Sequence, residues 1–282
     1  DLRICYGTEF YNDIPHILYS GCYCDNERFG RGVLMDRRGV EYDGIWKRNQ
    51  PSSSEFDGKT IDTFTEMVLI PDHSFTETSF FHVSRLFHSL KHIAIGNDSF
   101  INAHQFGLND LNELESIRIG TNCFPSSTLS RFTHCRRLRS IAIGDRSFRD
   151  CSFIEIGDLP SLESLAIDDD CFDFCNTFQL TNLPLLKCAI VGASSFSRCH
   201  TMVMKALPCL QEIQLGSYAL SHCREVTLDN LPLLKSIRLD YWSLCGDGDN
   251  RGCVKEKCPS VFLNQLIMKD LPSLTHLDAK DG

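Results

Sequence analysis

Apolar and polar residues alternate in short bursts that return every 24 positions. Leu90, Leu114, Leu138, Leu162, Leu186, Leu210 and Leu234 each follow the last by 24 residues. Around each the same order recurs: L-P-x-L-x-S-I-x-I-G-x-x-S-F-x-x-C-x-x-F-x-L. A weaker first copy holds Val68, Ile70 and Phe75, and a final one holds Leu274 and Leu277, which makes nine copies. Each copy carries two alternating segments, one like Ser140-Ile141-Ala142-Ile143-Gly144 and one like Phe178-Gln179-Leu180. Such brief alternation between turn residues predicts half-buried strands, with no room left for a helix of ordinary length. A unit this small cannot bury its apolar face alone and must stack on its neighbours. The expected fold is a repeat solenoid, predominantly β, over residues 62–282, with two parallel sheets along it.

Stacking turns each repeat position into a ladder. Phe75, Phe100, Phe124, Phe148, Phe172 and Phe196 predict an aromatic spine that changes to Leu220 and Leu244. Cys151, Cys175, Cys199 and Cys223 predict a thiol ladder beside it. Strands ~4.8 Å apart would bring these thiols close, but a small polarizable residue repeated in a slot of constant size explains them without metal or disulfide chemistry. Asp110, Asp158, Asn182, Asn230 and Asp270 precede the Leu-Pro positions, with His134 and Ala206 as exceptions. Their short side chains are expected to bond the following backbone and close that turn. Two rows face outward: Ala94, Arg118, Ala142, Ala166, Ile190, Gln214 and Arg238 on the first sheet, and Gly107, Arg131, Glu155, Gln179, Val203 and Thr227 on the second. Neither is a stripe of one charge.

The pattern resembles the leucine-rich repeat superfamily, and within it the BspA-like type. That type's I-G-x-x-A-F-x-x-C core has its counterpart in Ile143-Gly144-x-x-Ser147-Phe148-x-x-Cys151. The period is one residue longer than usual for the type, and Ser or Cys stands where it has Ala. The resemblance implies a solenoid used as a binding surface, and a unicellular eukaryote as the source. One copy breaks the spacing: Leu234 to Leu274 is 40 residues, so a loop is inserted at about 245–260. Insertions in solenoids project and often carry binding. Cys245, Cys253 and Cys258 with Asp247 and Asp249 lack the paired spacing and the nearby His of a zinc site. The Asp-Gly-Asp-Asn run lacks the ligand order of a calcium loop. The loop reads as an exposed contact element, with no metal.

The N-terminal segment has a shorter period. Tyr19-Ser20-Gly21-Cys22-Tyr23 is followed after 23 residues by Tyr42-Asp43-Gly44-Ile45-Trp46, with Phe29-Gly30-Arg31-Gly32-Val33 and Gly39 between. This resembles the MORN repeat, which implies antiparallel β-hairpins over 1–50 with rings packed over glycines. A degenerate earlier copy starts at Gly7, with Glu9 where the second glycine would be. The resemblance also implies assembly scaffolding or attachment to membrane lipids. Lipid binding would fall to Arg28, Arg31, Arg37, Arg38, Lys47 and Arg48, but Asp25, Glu27, Asp36, Glu41 and Asp43 interleave with them, which is the pattern of a solvated face. The Pro- and Ser-rich run after Gln50 reads as a linker over 51–61.

The net charge of −9 argues against nucleic acid as the main partner. Fifteen cysteines are too few for a disulfide scaffold and odd in number, so free thiols in a reducing, cytoplasmic compartment are expected, with cytoskeletal or membrane association as a variant. A start without Met and an end just after a repeat strand are what a piece of a longer protein would show; more chain, a second copy or a partner is expected over Leu277. No nucleotide loop, nucleophile elbow, zinc-protease or dinucleotide motif is present. Asn97-Asp98-Ser99 fits a glycosylation sequon, but Ser99 occupies an inward slot. The expectation is a non-enzymatic scaffold without cofactor that binds a protein or joins a larger complex. Its contact candidates are Arg118, Arg131 and Arg238 on the outward rows, Tyr241 and Trp242 beside the insertion, and Asp247, Asp249 and Arg251 within it. The alternatives are a lipid-attached adaptor and a secreted adhesin.

Overall fold

The computed structural model describes residues 2–10, 17–24, 27–36, 39–47, 49–52, 66–83, 89–245 and 265–280. Successive copies pair in parallel with an offset equal to the repeat: Ser116, Ile117, Arg118 and Ile119 lie opposite Ser140, Ile141, Ala142 and Ile143. Every second residue of such a strand points inward, so Ile117, Ile141, Leu165 and Ile213 are buried. The first sheet holds nine strands, one per copy, from Met67–Ile70 to His276–Ala279. The insertion leaves this register intact, since Ser236 pairs with His276 and Glu225 with Gln265. No helix occurs among the described residues.

The second sheet departs from the expectation of an unbroken ladder. Strands Phe80–Val83, Gln105–Asn109, Leu129–Thr133 and Phe153–Gly157 form one run, and Thr177–Thr181 to Gln265–Lys269 form a separate four-stranded one. The first sheet stays paired at that level, with Ile141 opposite Leu165. The interruption coincides with a change in where the bulk sits. The inward pair is Phe106 and Leu108, then Ser130 and Phe132, then Ile154 and Ile156, then Phe178 and Leu180. The break falls where Ile154 and Ile156 give way to Phe178 and Leu180, whereas the larger change from Phe106 and Leu108 to Ser130 and Phe132 keeps its pairing.

The N-terminal strands are β1 (Leu2–Phe10), β2 (Ile17–Cys24), β3 (Glu27–Asp36), β4 (Gly39–Lys47) and β5 (Gln50–Ser52). They pair antiparallel in sequence order. β1 also pairs in parallel with Phe80–Val83, so these hairpins extend the second sheet and cover its first edge. β5 begins the stretch read as a linker; residues 53–65 lie outside those described.

The spine forms as the sequence implied. Consecutive rings from Phe75 to Phe196 stack with centroids 4.9–5.2 Å apart and planes within 7–11°. Phe100 to Phe196 are fully buried, which contributes ~1.5–3 kcal/mol per ring, while Phe75 on the first rung is exposed. The backbone at these residues is left-handed, with φ of 53–57° from Phe75 to Leu244. Two further non-glycine slots share this: His73, Asp98, Asn122, Arg146, Asp170, Ser194, Tyr218 and Trp242, and the residues before the Leu-Pro positions. Each such residue costs ~1–3 kcal/mol and persists because its surroundings over-determine it.

This backbone corrects the reading of the Asx ladder. Asp110, His134, Asp158, Asn182, Ala206, Asn230 and Asp270 share φ of 52–59°, so Asp and Asn prevail there because they tolerate that region, and Ala206 adopts it as well. The Asx residues that bond backbone lie in another turn. Asp72, Asn97, Asp145 and Asp169 accept from the N–H of Asn97, Thr121, Asp169 and Ala193, at 2.6, 2.8, 3.0 and 2.6 Å. Each ties its rung to the next, and Asn97 of the sequon is one of them.

The slot before each spine residue forms a second tie. Ser147 Oγ donates to the Gly120 carbonyl (2.8 Å) and accepts from Cys123 N–H (3.0 Å). Ser195 repeats this with Asp168 and Cys171 (2.6 and 2.9 Å), and Ser99 with Pro71 and Ser74 (3.0 and 3.2 Å). Cys123 and Cys171 keep only the donor half, to Gly96 and Gly144. In the thiol ladder each Sγ donates to the carbonyl two residues on, at Phe153, Thr177, Thr201 and Glu225. Burial pushes the Cys175 and Cys223 thiols up to about 11. These are packed, protonated side chains with little nucleophilic character.

Candidate interaction surfaces

The hairpin sheet is built around Tyr19 and Trp46. Both are buried, their rings meet edge to face at 5.1 Å, and Trp46 Nε1 donates to the Gly32 carbonyl (3.0 Å). The Tyr19 ring lies across Gly21 and Gly32, where a Cβ on either would run into it. Glu9 holds the position of the absent glycine. It accepts from Tyr23 Oη (2.6 Å) and from Arg28 Nε and Nη2 (3.1 and 2.5 Å). The Arg28 guanidinium lies 4.8 Å from the Tyr19 ring centre and 5.3 Å from that of Trp46. Its hydrogen bonds hold the Glu9 carboxyl below the usual carboxylate range. Of the lipid candidates, Arg28 is therefore committed to this internal pair. The side chains of Arg31 and Lys47, and residues Arg37, Arg38 and Arg48, lie outside those described.

On the solenoid many charges are paired between rungs. Glu163 lies between Arg139 (3.8 Å) and Lys187 (2.5 Å), Arg137 meets Glu113, and Lys205 meets Asp229 (3.1 Å). Partners 24 residues apart fall side by side because the strands are in register. These exposed pairs are worth little each. The ionizable residues recur where the repeat places them, and no group of three metal-ligating side chains occurs among the described residues.

The candidate contact residues do not converge on one site. Arg118 and Arg238 share the outward row of the first sheet but stand five rungs apart, ~24 Å along the solenoid. Arg238 pairs with Glu212 (3.5 Å). Arg118 acts electrostatically on Asp168, whose carboxyl is raised by burial and by Asp145 and Asp169, with Arg118 pulling the other way. Tyr241 and Trp242 sit in the turn after the Arg238 strand and are exposed, as is Tyr218 one rung earlier. Asp240, next to Tyr241, pairs with Lys280 (2.7 Å). Asp247, Asp249 and Arg251 lie outside the described residues.

Arg131 belongs to the second sheet and borders a feature that was not anticipated. A groove of about 400 Å³ opens over Gly107, whose missing side chain leaves a gap in the outward row. Gln105, Leu129, Arg131, Thr133, His134 and Glu155 contribute to its lining. Arg131 Nε reaches Glu155 at 3.1 Å, and His134 Nε2 reaches Asp158 at 3.0 Å. Phe153, in the outward row with Gln105 and Leu129, is 51% exposed. The available signal was a glycine inside a strand, which marks close backbone approach or an open site.

A model described as the BspA type leucine rich repeat region matches in six copies over residues 59–152 and 93–227. Together these span 59–227, more than half of the 282 residues. The chain belongs to this family. Leucine-rich-repeat solenoids are commonly protein-interaction scaffolds. Curated proteins and solved structures gave no match. The BspA-type match does not extend to residues 1–58.

Proposed function

We propose that this BspA-type chain is a non-enzymatic scaffold that holds a protein partner within a larger intracellular assembly, with the hairpin sheet as a MORN-like extension. The observation that carries the reading is the exposure of large side chains where the repeat has small or polar ones. Tyr241 and Trp242 occupy turn slots that hold Asn97 and Asp98, Asp145 and Arg146, or Asp169 and Asp170 in other copies. Exposed aromatic side chains beside a charged residue such as Arg238 are the usual anchors of a protein interface. The test is crosslinking and pull-down of the tagged full chain from its source cell, repeated with a Tyr241→Ser, Trp242→Ser double variant. A partner captured by the parent and lost by the variant supports the proposal; a chain that captures none defeats it.

Lipid attachment is the weaker reading, because Arg28 is already neutralized by Glu9. If it held, charge reversal at Arg37 and Arg38 would abolish vesicle flotation of the full chain. Surface adhesion would instead require mostly paired cysteines, which a thiol count under denaturing conditions reads directly.

A further inference from the structure

Resting on the scaffold reading, we infer that the first strand of the first sheet, Met67–Ile70, is a docking edge that takes an extended segment of a protein partner as one more strand. The Glu66 and Ile70 carbonyls accept from His92 N–H (3.0 Å) and Gly96 N–H (2.7 Å) on the next rung. Backbone groups of a parallel strand alternate sides, so Glu66, Val68 and Ile70 face that rung while Met67 and Leu69 turn their N–H and C=O away from it. Among the described residues no strand lies on that side. The same two residues put their side chains outward, where they are 51% and 61% exposed, whereas Val68 and Ile70 are buried beneath. Two donors, two acceptors and two apolar side chains are therefore presented along one line.

That line fits an extended backbone. A helix has spent its own N–H and C=O groups internally and cannot satisfy the edge. Strand addition takes its affinity from main-chain hydrogen bonds and its selectivity from alternate side chains, which here favour apolar residues beside Met67 and Leu69. The other ends of the sheets are blunted. β5 is three residues long and contains Pro51, Gln265–Lys269 ends on a lysine, and His276–Ala279 carries His276 and Asp278. Shortness, proline and charge are the usual protections of an edge. Met67–Ile70 has no charge and no proline, and its register against His92–Ile95 is regular. The chain already uses strand addition at this end, where β1 covers the matching edge of the second sheet by pairing in parallel with Phe80–Val83. The hairpin strands thus run on past the first rung in the layer that a second copy would need for its own second sheet. A lone strand needs only the layer of the first.

The probe is a fluorescent, end-blocked peptide with the sequence of residues 138–145, LRSIAIGD, the strand that the repeat itself stacks on such an edge. It is titrated into the full chain by fluorescence polarization, with amide exchange read at Met67 and Leu69. Saturable binding that slows exchange at both amides supports the proposal. Two N-methylated versions, one for each edge of the peptide, keep its side chains and remove the donors on that edge. One of the two should bind roughly tenfold more weakly, as expected for two lost hydrogen bonds. Leu69→Pro removes an edge donor that the sheet does not use, and should fold with binding abolished. Leu69→Lys blocks the edge by charge if the proline variant does not fold. Amides of Met67 and Leu69 already protected in the free chain, no saturable binding, or equal binding of the parent and both N-methylated peptides would each overturn the proposal. So would self-association of the chain that Leu69→Pro abolishes, since the occupant is then a second copy. A pull-down partner retained undiminished by folded Leu69→Pro overturns the docking edge and leaves the scaffold reading standing. Peptide binding at the edge by a chain that captures no partner supports the edge and defeats the scaffold reading alone.

Discussion

Ser147→Ala tests the idea that the slot before the spine stitches rung to rung. Ser147 is fully buried, and its hydroxyl joins the Gly120 carbonyl to the Cys123 N–H at 2.8 and 3.0 Å. Two hydrogen bonds of ordinary net worth sum to ~2 kcal/mol, and stranded buried groups would cost more. The chain itself shows how far the damage can relax. At Ala219 the slot has no hydroxyl, and the corresponding Ser195 N–H turns to the Gly192 carbonyl at a long 3.4 Å. In Ser147→Ala the two orphaned groups, Cys123 N–H and Gly120 C=O, stand in that same relation and can recover part of the loss. The expected cost is ~1–2 kcal/mol, or a Tm lower by ~2–8 °C. Ala219→Ser should gain ~1 kcal/mol by the reverse argument. Thermal and urea unfolding of the full chain measure both, and amide exchange shows whether the Cys123 N–H loses protection first. If Ser147→Ala lies within ~0.3 kcal/mol of the parent and Cys123 protection is unchanged, the hydroxyl is only filling space.

Other substitutions probe the remaining ladders. Phe148→Ala should cost ~3–5 kcal/mol, whereas Phe148→Leu should cost under ~1.5 kcal/mol, because Leu220 fills the same slot in this chain; urea midpoints separate the two. Ala206→Gly should raise stability by ~1 kcal/mol, since Ala206 sits at φ 55° without the tolerance of Asn or Asp; an unchanged Tm would show that the turn stores no strain. The pH response follows from the buried thiols. Cys123, Cys135, Cys175 and Cys223 are raised to about 11 when folded, so the folded state holds protons that the unfolded state releases at lower pH. Stability is therefore level below the unfolded thiol range near ~8.5–9. Above it, stability falls by up to ~1.4 kcal/mol per pH unit for each thiol until the folded values are reached. A urea midpoint that is flat from pH 8 to pH 10.5 would contradict this.

The fold was legible in the sequence wherever one slot meets the same slot on the next rung. Leu114, Phe148 and Cys175 could be assigned because a 24-residue shift lands each on its equivalent and parallel pairing needs nothing more. The hairpin sheet was legible for a related reason: Tyr19 and Trp46 recur around glycines that only a ring can cover. The Asx ladder was placed at the wrong turn because Asp and Asn serve two purposes, a left-handed backbone before the Leu-Pro positions and side-chain capping at Asp72, Asn97, Asp145 and Asp169. Composition cannot distinguish those roles. The break in the second sheet escaped because Phe153–Gly157 and Thr177–Thr181 occupy the same slot of the repeat, and nothing in the 24-residue spacing marks the lost pairing.

Periodicity also explains why the binding surface was harder to read than the fold. An inward residue of this solenoid is constrained by the rung above and the rung below, so its identity repeats. An outward residue touches its row and water, and is free to differ. Under the scaffold reading the contact residues are sought among the departures from the repeat, of which two sets stand out. Tyr218, Tyr241 and Trp242 place exposed rings on turns that elsewhere carry Asx residues, at the level of the inserted loop. Gln105, Gly107, Leu129, Arg131 and Glu155 line a groove of mixed character in the second sheet, on the rungs leading to its interruption. A rigid ladder keeps these sets at a fixed separation, so a partner that engaged both would have to span several rungs. Single variants at Gly107 and at Trp242 would then each weaken the same partner, and the double variant would show whether their effects add, as they must for sites this far apart.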